Sequence, residues 1–121
     1  MLAVIYVLLP KSVSHPSPYA RITAASIDIT NIQNGLITFR LDNGYYPGGT
    51  NGLLALVQKP YGATNWHGPY FDPPTIPQDP WGNPFLYSFP GKHNPASYDL
   101  WSAGPDEKSE TDDDIGNWTT K

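Results

Sequence analysis

The chain has 121 residues, with 14 prolines, 11 glycines, no cysteine and a net charge of −4. That length supports one domain with a modest core. The lack of cysteine excludes disulfides and thiolate metal sites, and the acidic balance argues against a nucleic-acid partner, which would need a basic stripe. Proline and glycine together are about a fifth of the chain, near the range of low-complexity sequences, but an aromatic content of 13% belongs to a chain that folds. Packing, proline stiffening or a hard metal ion must then stabilise a loop-rich domain.

The elements follow in order. Met1–Leu9 is continuously apolar, about half the roughly 20 residues a membrane helix needs. It reads either as an N-terminal core element or as the second half of a longer apolar helix. From Tyr19 to Asn43, the residues Ile22, Ala25, Ile29, Ile32, Leu36 and Phe39 step by three and four, which predicts one long helix with a single apolar stripe. Ser17 is its N-cap, Pro18 its first residue, and Asn43-Gly44 its left-handed stop. Gly35 lies in its interior, at a cost of about 1 kcal/mol relative to alanine.

Leu53, Leu54, Leu56 and Val57 predict a short helix capped by Thr50 or Asn51, with Lys59 in its last turn and Pro60 beyond. Tyr61 to Pro84 alternates prolines and aromatics, with a turn at Asp79-Pro-Trp-Gly82. Phe85–Phe89 and Tyr98–Ser102 read as an antiparallel hairpin packed on the helix. Phe85, Tyr87 and Phe89 share one face of the first strand, and Tyr98, Leu100 and Ser102 one face of the second. A third strand is expected between Ile115 and Thr119.

Catalytic signals are thin. His15, His67 and His93 stand apart, with no metal-ligand spacing, and read as surface or packing residues. There is no nucleophile elbow, and Gly48–Gly52 lacks the lysine of a phosphate loop. The rings between 61 and 87 could serve as a sugar-binding platform built on Trp66, Tyr70 and Trp81, or as the core of a domain short of aliphatics. The acidic segment is Asp106 followed, after a five-residue link, by Asp112-Asp-Asp114. Carboxyl groups this crowded either splay into water or share a cation such as calcium, which takes six to eight oxygens from carboxylates and turn carbonyls. The order of an EF-hand loop is missing.

Taken together, Phe39-Arg-Leu-Asp-Asn-Gly-Tyr-Tyr-Pro47, Gly52–Val57, Trp66-His-Gly-Pro-Tyr70 and Asp79-Pro-Trp-Gly-Asn-Pro84 resemble the major pseudopilin (protein G) family of the type II secretion system. So do Pro90-Gly91, Tyr98-Asp-Leu100, Ser102-Ala-Gly-Pro-Asp106 and Asp114-Ile-Gly-Asn-Trp118, in the family's order, over most of the chain. The resemblance implies a pilin-like α+β fold: a long N-terminal helix on a small antiparallel sheet, a long structured loop, and a C-terminal loop that binds calcium. It implies Asp106 and Asp113 as side-chain ligands, Ala103 and Thr111 as carbonyl ligands, and Asp114 beside them. Residues 1–18 would be the end of an apolar helix plus a linker, with the leader and first half of that helix upstream, and residues 19–121 the globular domain.

The function so implied is structural and not enzymatic. The chain would polymerise with itself into a periplasmic pseudopilus, meet minor pseudopilins and the inner-membrane secretion platform, and reach the membrane through its N-terminal helix. The alternatives are a carbohydrate-binding module using the exposed rings, and a type IV pilin or minor pseudopilin.

Overall fold

The computed structural model describes residues 17–48 and 52–119. The apolar run Met1–Leu9, the Thr50 or Asn51 cap and most of the 1–18 segment lie outside those residues. Helix α1 spans Pro18–Asn43. Ser17 caps it, its hydroxyl accepting the Ala20 N–H at 3.1 Å, and Gly44 ends it at φ 86°, donating its N–H to the Arg40 carbonyl. Ala25, Ile29, Ile32, Leu36 and Phe39 are buried, as the stripe predicts, whereas Ile22 is 38% exposed. Among the described residues, the sheet and loops cover the helix only from Ala25 onward, which leaves Ile22 open. Burying an aliphatic or phenyl side chain contributes roughly 1.5–3 kcal/mol, which makes this stripe the main anchor of the fold.

The short helix is a 3-10 segment, Gly52–Leu56. In that geometry side chains three apart eclipse, so Leu53 and Leu56 both enter the core while Leu54 is exposed. Lys59 falls beyond the segment, whose end is closed by the Val57 and Gln58 N–H groups on the Leu54 carbonyl. The chain then lays its aromatics over the far end of α1. Tyr70 donates its N–H to the Leu56 carbonyl at 2.6 Å and its hydroxyl to Asp42 Oδ2 at 2.7 Å. Its carbonyl passes so close to Gly35 that a Cβ there would stand 2.9 Å away.

Strand β1 (Leu86–Ser88) pairs antiparallel with β2 (Asp99–Ser102), and β2 with β3 (Ile115–Gly116), giving the order β1-β2-β3. Tyr87 stands opposite Leu100, and Ser102 opposite Ile115. Strands β2 and β3 pack on α1, while β1 abuts the 3-10 segment. Strand β1 is shorter than expected, because Phe89 leaves the ladder ahead of Pro90 and lies half-buried, edge-on to Tyr46. Tyr87 is buried with its hydroxyl on the Pro47 carbonyl at 2.7 Å. Burial, then the neighbouring Tyr98 and Tyr46, holds its ionisation well above the ordinary tyrosine range. Among the described residues no helix is long and apolar enough to cross a membrane.

Candidate metal-binding loop

The acidic segment joins β2 to β3. Gly104, at φ 78°, opens it, and the Asp113 carbonyl occupies the space a side chain would need, so the two ends of the loop touch. Glu107 and Glu110 take left-handed conformations that non-glycine residues adopt rarely. Asp106 holds the middle of the loop: Oδ1 accepts the Lys108 N–H at 2.9 Å and Oδ2 the Thr111 hydroxyl at 2.7 Å. Those two bonds, the first above all, hold its carboxyl below the usual aspartate value. Asp114, at the end, is buried and accepts the Glu110 N–H at 2.7 Å.

Of the residues expected to form a site, Asp106 and Asp114 come together around the Thr111 side chain, whereas the Thr111 carbonyl, the atom expected as a ligand, accepts the Asp114 N–H at 3.1 Å. The Thr111 Oγ1 lies 2.7 Å from Asp106 Oδ2, 3.1 Å from the Lys108 carbonyl and 3.5 Å from Asp114 Oδ1. A hydroxyl has one hydrogen to give, so three acceptor oxygens converge on a single proton. Such an oxygen-rich, donor-poor point suits a hard cation, and every candidate ligand is oxygen. Ala103 is buried at the base of the loop, and the carboxyl groups of Asp112 and Asp113 are exposed. Among the described residues no three His, Asp or Glu side chains converge on one point, so a site here would draw on hydroxyl and carbonyl oxygens as well.

Two buried carboxyl groups outside the loop hold its surroundings. Asp79 is 4% exposed: Oδ1 accepts the N–H groups of Trp81 and Asn83, and Oδ2 the Ser102 hydroxyl at 2.6 Å. Asp99 is 2% exposed and accepts the N–H groups of Lys92, His93 and Asn94 at 2.8–2.9 Å. The sequence places Asp79 in a turn and Asp99 in a strand but gives neither carboxyl group a partner. The available signal was Ser102, a polar residue on the inward face of a strand, which demands a buried partner. On the outside, Lys92 Nζ meets Glu110 Oε1 at 2.9 Å, a fully exposed pair of small energetic weight.

The other expectations resolve simply. The Asp79–Gly82 turn closes with the Gly82 N–H on the Asp79 carbonyl at 2.9 Å. His67 is exposed beside the Asn65 carbonyl, and His93 is exposed and stacked on Trp118 at 3.8 Å. Trp66 and Tyr70 meet edge-on at 89° and are half-buried, with the Trp66 indole N–H on the Ala55 carbonyl. Trp81 packs against the core. Standing perpendicular, Trp66 and Tyr70 do not form one flat face.

Residues 13–118 match the family model for type II secretion system (T2SS), protein G. The chain is 42% identical over 117 residues to the type II secretion system core protein G of Pseudomonas aeruginosa, covering 92% of this chain and 80% of that protein. It is 43% identical to its counterpart in Aeromonas hydrophila and 42% identical to that of Escherichia coli K12, spanning 66% and 63% of their lengths. The crystal structure of the major pseudopilin from the type 2 secretion system of enterohaemorrhagic Escherichia coli superposes with a TM-score of 0.71 at 35% identity, over 84% of this chain and 90% of that one. The long helix on a three-stranded antiparallel sheet is thus the pilin-like fold, and the chain belongs to the type II secretion system protein G family, the structural subunits known as major pseudopilins.

Proposed function

We propose that this chain polymerises with copies of itself into a periplasmic type II secretion pseudopilus, anchored at the inner membrane and helping to drive folded proteins across the outer membrane. Minor pseudopilins and the inner-membrane platform are its other partners. Membership of the protein G family across residues 13–118 carries this reading. The outer face of α1 supports it. Tyr19, Ile27, Ile37 and Leu41 are exposed there, roughly opposite the core stripe and with no charged residue between them. The hydroxyls of Ser26, Thr30 and Thr38 donate to the helix's own carbonyls four residues back, which leaves their carbon atoms outward. A face this apolar and uncharged suits subunit contact, and a head-to-tail contact that does not close builds a helix.

The chain has no cysteine, so introduced thiols are unique probes. With one cysteine fixed at Ile37 and a second scanned over the sheet and loops, oxidation in cells with a working secretion system should give a ladder beyond the dimer for some pairs. If every pair stops at the dimer, the subunits do not form an open filament.

Calcium is the second part of the reading, with Asp106, Asp113 and Asp114 as side-chain ligands and Ala103 and Thr111 supplying carbonyls. The approach of Asp106 Oδ2 and Asp114 Oδ1 to one another around the Thr111 hydroxyl supports the two aspartates of that set. Bound there, the ion would supply the positive charge the acidic loop lacks.

A further inference from the structure

We propose that the Asp79–Asn83 turn is a positioning brace for the C-terminal loop, holding its ligand-bearing end through the chain Asp79–Ser102–Gly104. This rests on the calcium reading for its effect on the ion, and on the hydrogen bonds alone for its effect on the loop. Gly104 N–H can only donate, and it points at Ser102 Oγ at 3.0 Å. The hydroxyl must therefore accept there and give its one hydrogen to Asp79 Oδ2, 2.6 Å away. Asp79 Oδ1 is committed to the N–H groups of Trp81 and Asn83 at 3.1 and 2.8 Å. The direction of every bond in this chain is fixed, and the hydroxyl at its centre is wholly buried. Aligned bonds of this kind polarise one another in a low-dielectric interior.

The turn reaches the loop a second time. Asn83 Nδ2 donates to Glu107 Oε1 at 2.9 Å, and Glu107 is one of the two loop residues in the left-handed conformation. Glu107 in turn donates its N–H to the Gly104 carbonyl at 3.0 Å. The turn therefore grips both ends of the Gly104–Glu107 bend, which contains Asp106 and follows directly on Ala103. A carbonyl or carboxyl ligand is useful to a cation only if it is already aimed. Partners one bond behind the ligands are what aim it, and their loss typically weakens metal binding about 10–100-fold.

The test compares Ser102→Ala, Asn83→Ala and Tyr70→Phe with the native chain, by calcium titration calorimetry and by amide hydrogen exchange in calcium-free buffer. Tyr70→Phe removes a bond to Asp42 at the far end of α1 and serves as a structural control. Ser102→Ala should bind calcium about tenfold or more weakly and release the Gly104 and Glu107 amides to faster exchange, while Tyr70→Phe changes neither. Native calcium binding with unchanged affinity and exchange in Ser102→Ala would overturn the brace. A native chain indifferent to calcium, whose loop amides still loosen in Ser102→Ala, would keep the brace and remove the calcium reading instead. If Ser102→Ala does not fold, Asn83→Ala decides: weaker binding at unchanged calcium-free melting supports the brace, and unchanged affinity overturns it.

Discussion

Gly35 illustrates how a residue's meaning depends on a partner far along the chain. Within its own helix it is a penalty, since alanine would gain about 1 kcal/mol. In the fold its missing side chain lets the Tyr70 carbonyl pass, and a Cβ would stand 2.9 Å from that oxygen and 3.5 Å from Leu56 Cδ1. The obstructing atom is backbone, fixed by the Tyr70 N–H bond to Leu56, so it cannot swing aside as a side-chain tip can. Forced overpacking costs about 1–3 kcal/mol and outweighs the propensity gain. Gly35→Ala should therefore lower stability by about 1 kcal/mol in urea denaturation; a stabilised variant would show that the loop yields freely. Ser102 is a similar case. Alternation put it on the inward face with Tyr98 and Leu100, which was legible, but its partner Asp79 lies in another turn, which was not.

Among the elements, α1 was readable from cap to stop, Ile22 apart, because its cap, stripe and stop all lie within one continuous segment. The sheet was harder. Its strands are two to four residues long, and side chains do much of the work that a longer ladder would do. Asp99 shows this most clearly. It faces away from Leu100, yet it is buried because the β1–β2 loop folds over it, and residue 91 must be glycine since a Cβ there would run into Asp99 Oδ1. One carboxyl oxygen accepts from Lys92 and His93, and the other from the Asn94 backbone and side chain. Asp99→Asn should be nearly as damaging as Asp99→Ala, because its amide nitrogen would face N–H donors whichever way it turns. Each unsatisfied donor costs about 1–3 kcal/mol, so both variants should lose about 3 kcal/mol or more, with faster exchange of the Lys92–Asn94 amides. A harmless Asp99→Asn would mean the loop is held by something else.

At the scale of the whole molecule, ordered short motifs along the chain made the family and its fold legible. The wiring of the C-terminal loop was not legible, because left-handed glutamates and a shared hydroxyl leave no periodic trace. That loop carries Asp106, Glu107, Glu110, Asp112, Asp113 and Asp114, six of the 11 acidic residues, against Lys108 within it. It is held on one side by the Asp79–Asn83 turn and met on the other by the β1–β2 loop through the exposed Lys92–Glu110 pair. Bringing so much like charge onto a braced bend opposes folding unless a cation shares it. An ion that binds only the folded loop stabilises by RT ln(1 + [L]/Kd), about 2.7 kcal/mol at a hundred times Kd. For a domain of this size that is a rise in Tm of roughly 10 °C. Calcium should produce it, a chelator should reverse it, and Asp106→Ala should melt at the same temperature with either. Sodium chloride at matched ionic strength separates binding from screening, since screening acts on any exposed charge and needs no particular ligand. Equal melting of the native chain in calcium and in chelator would leave five of these acids as a solvated surface and Asp114 held by the Glu110 N–H.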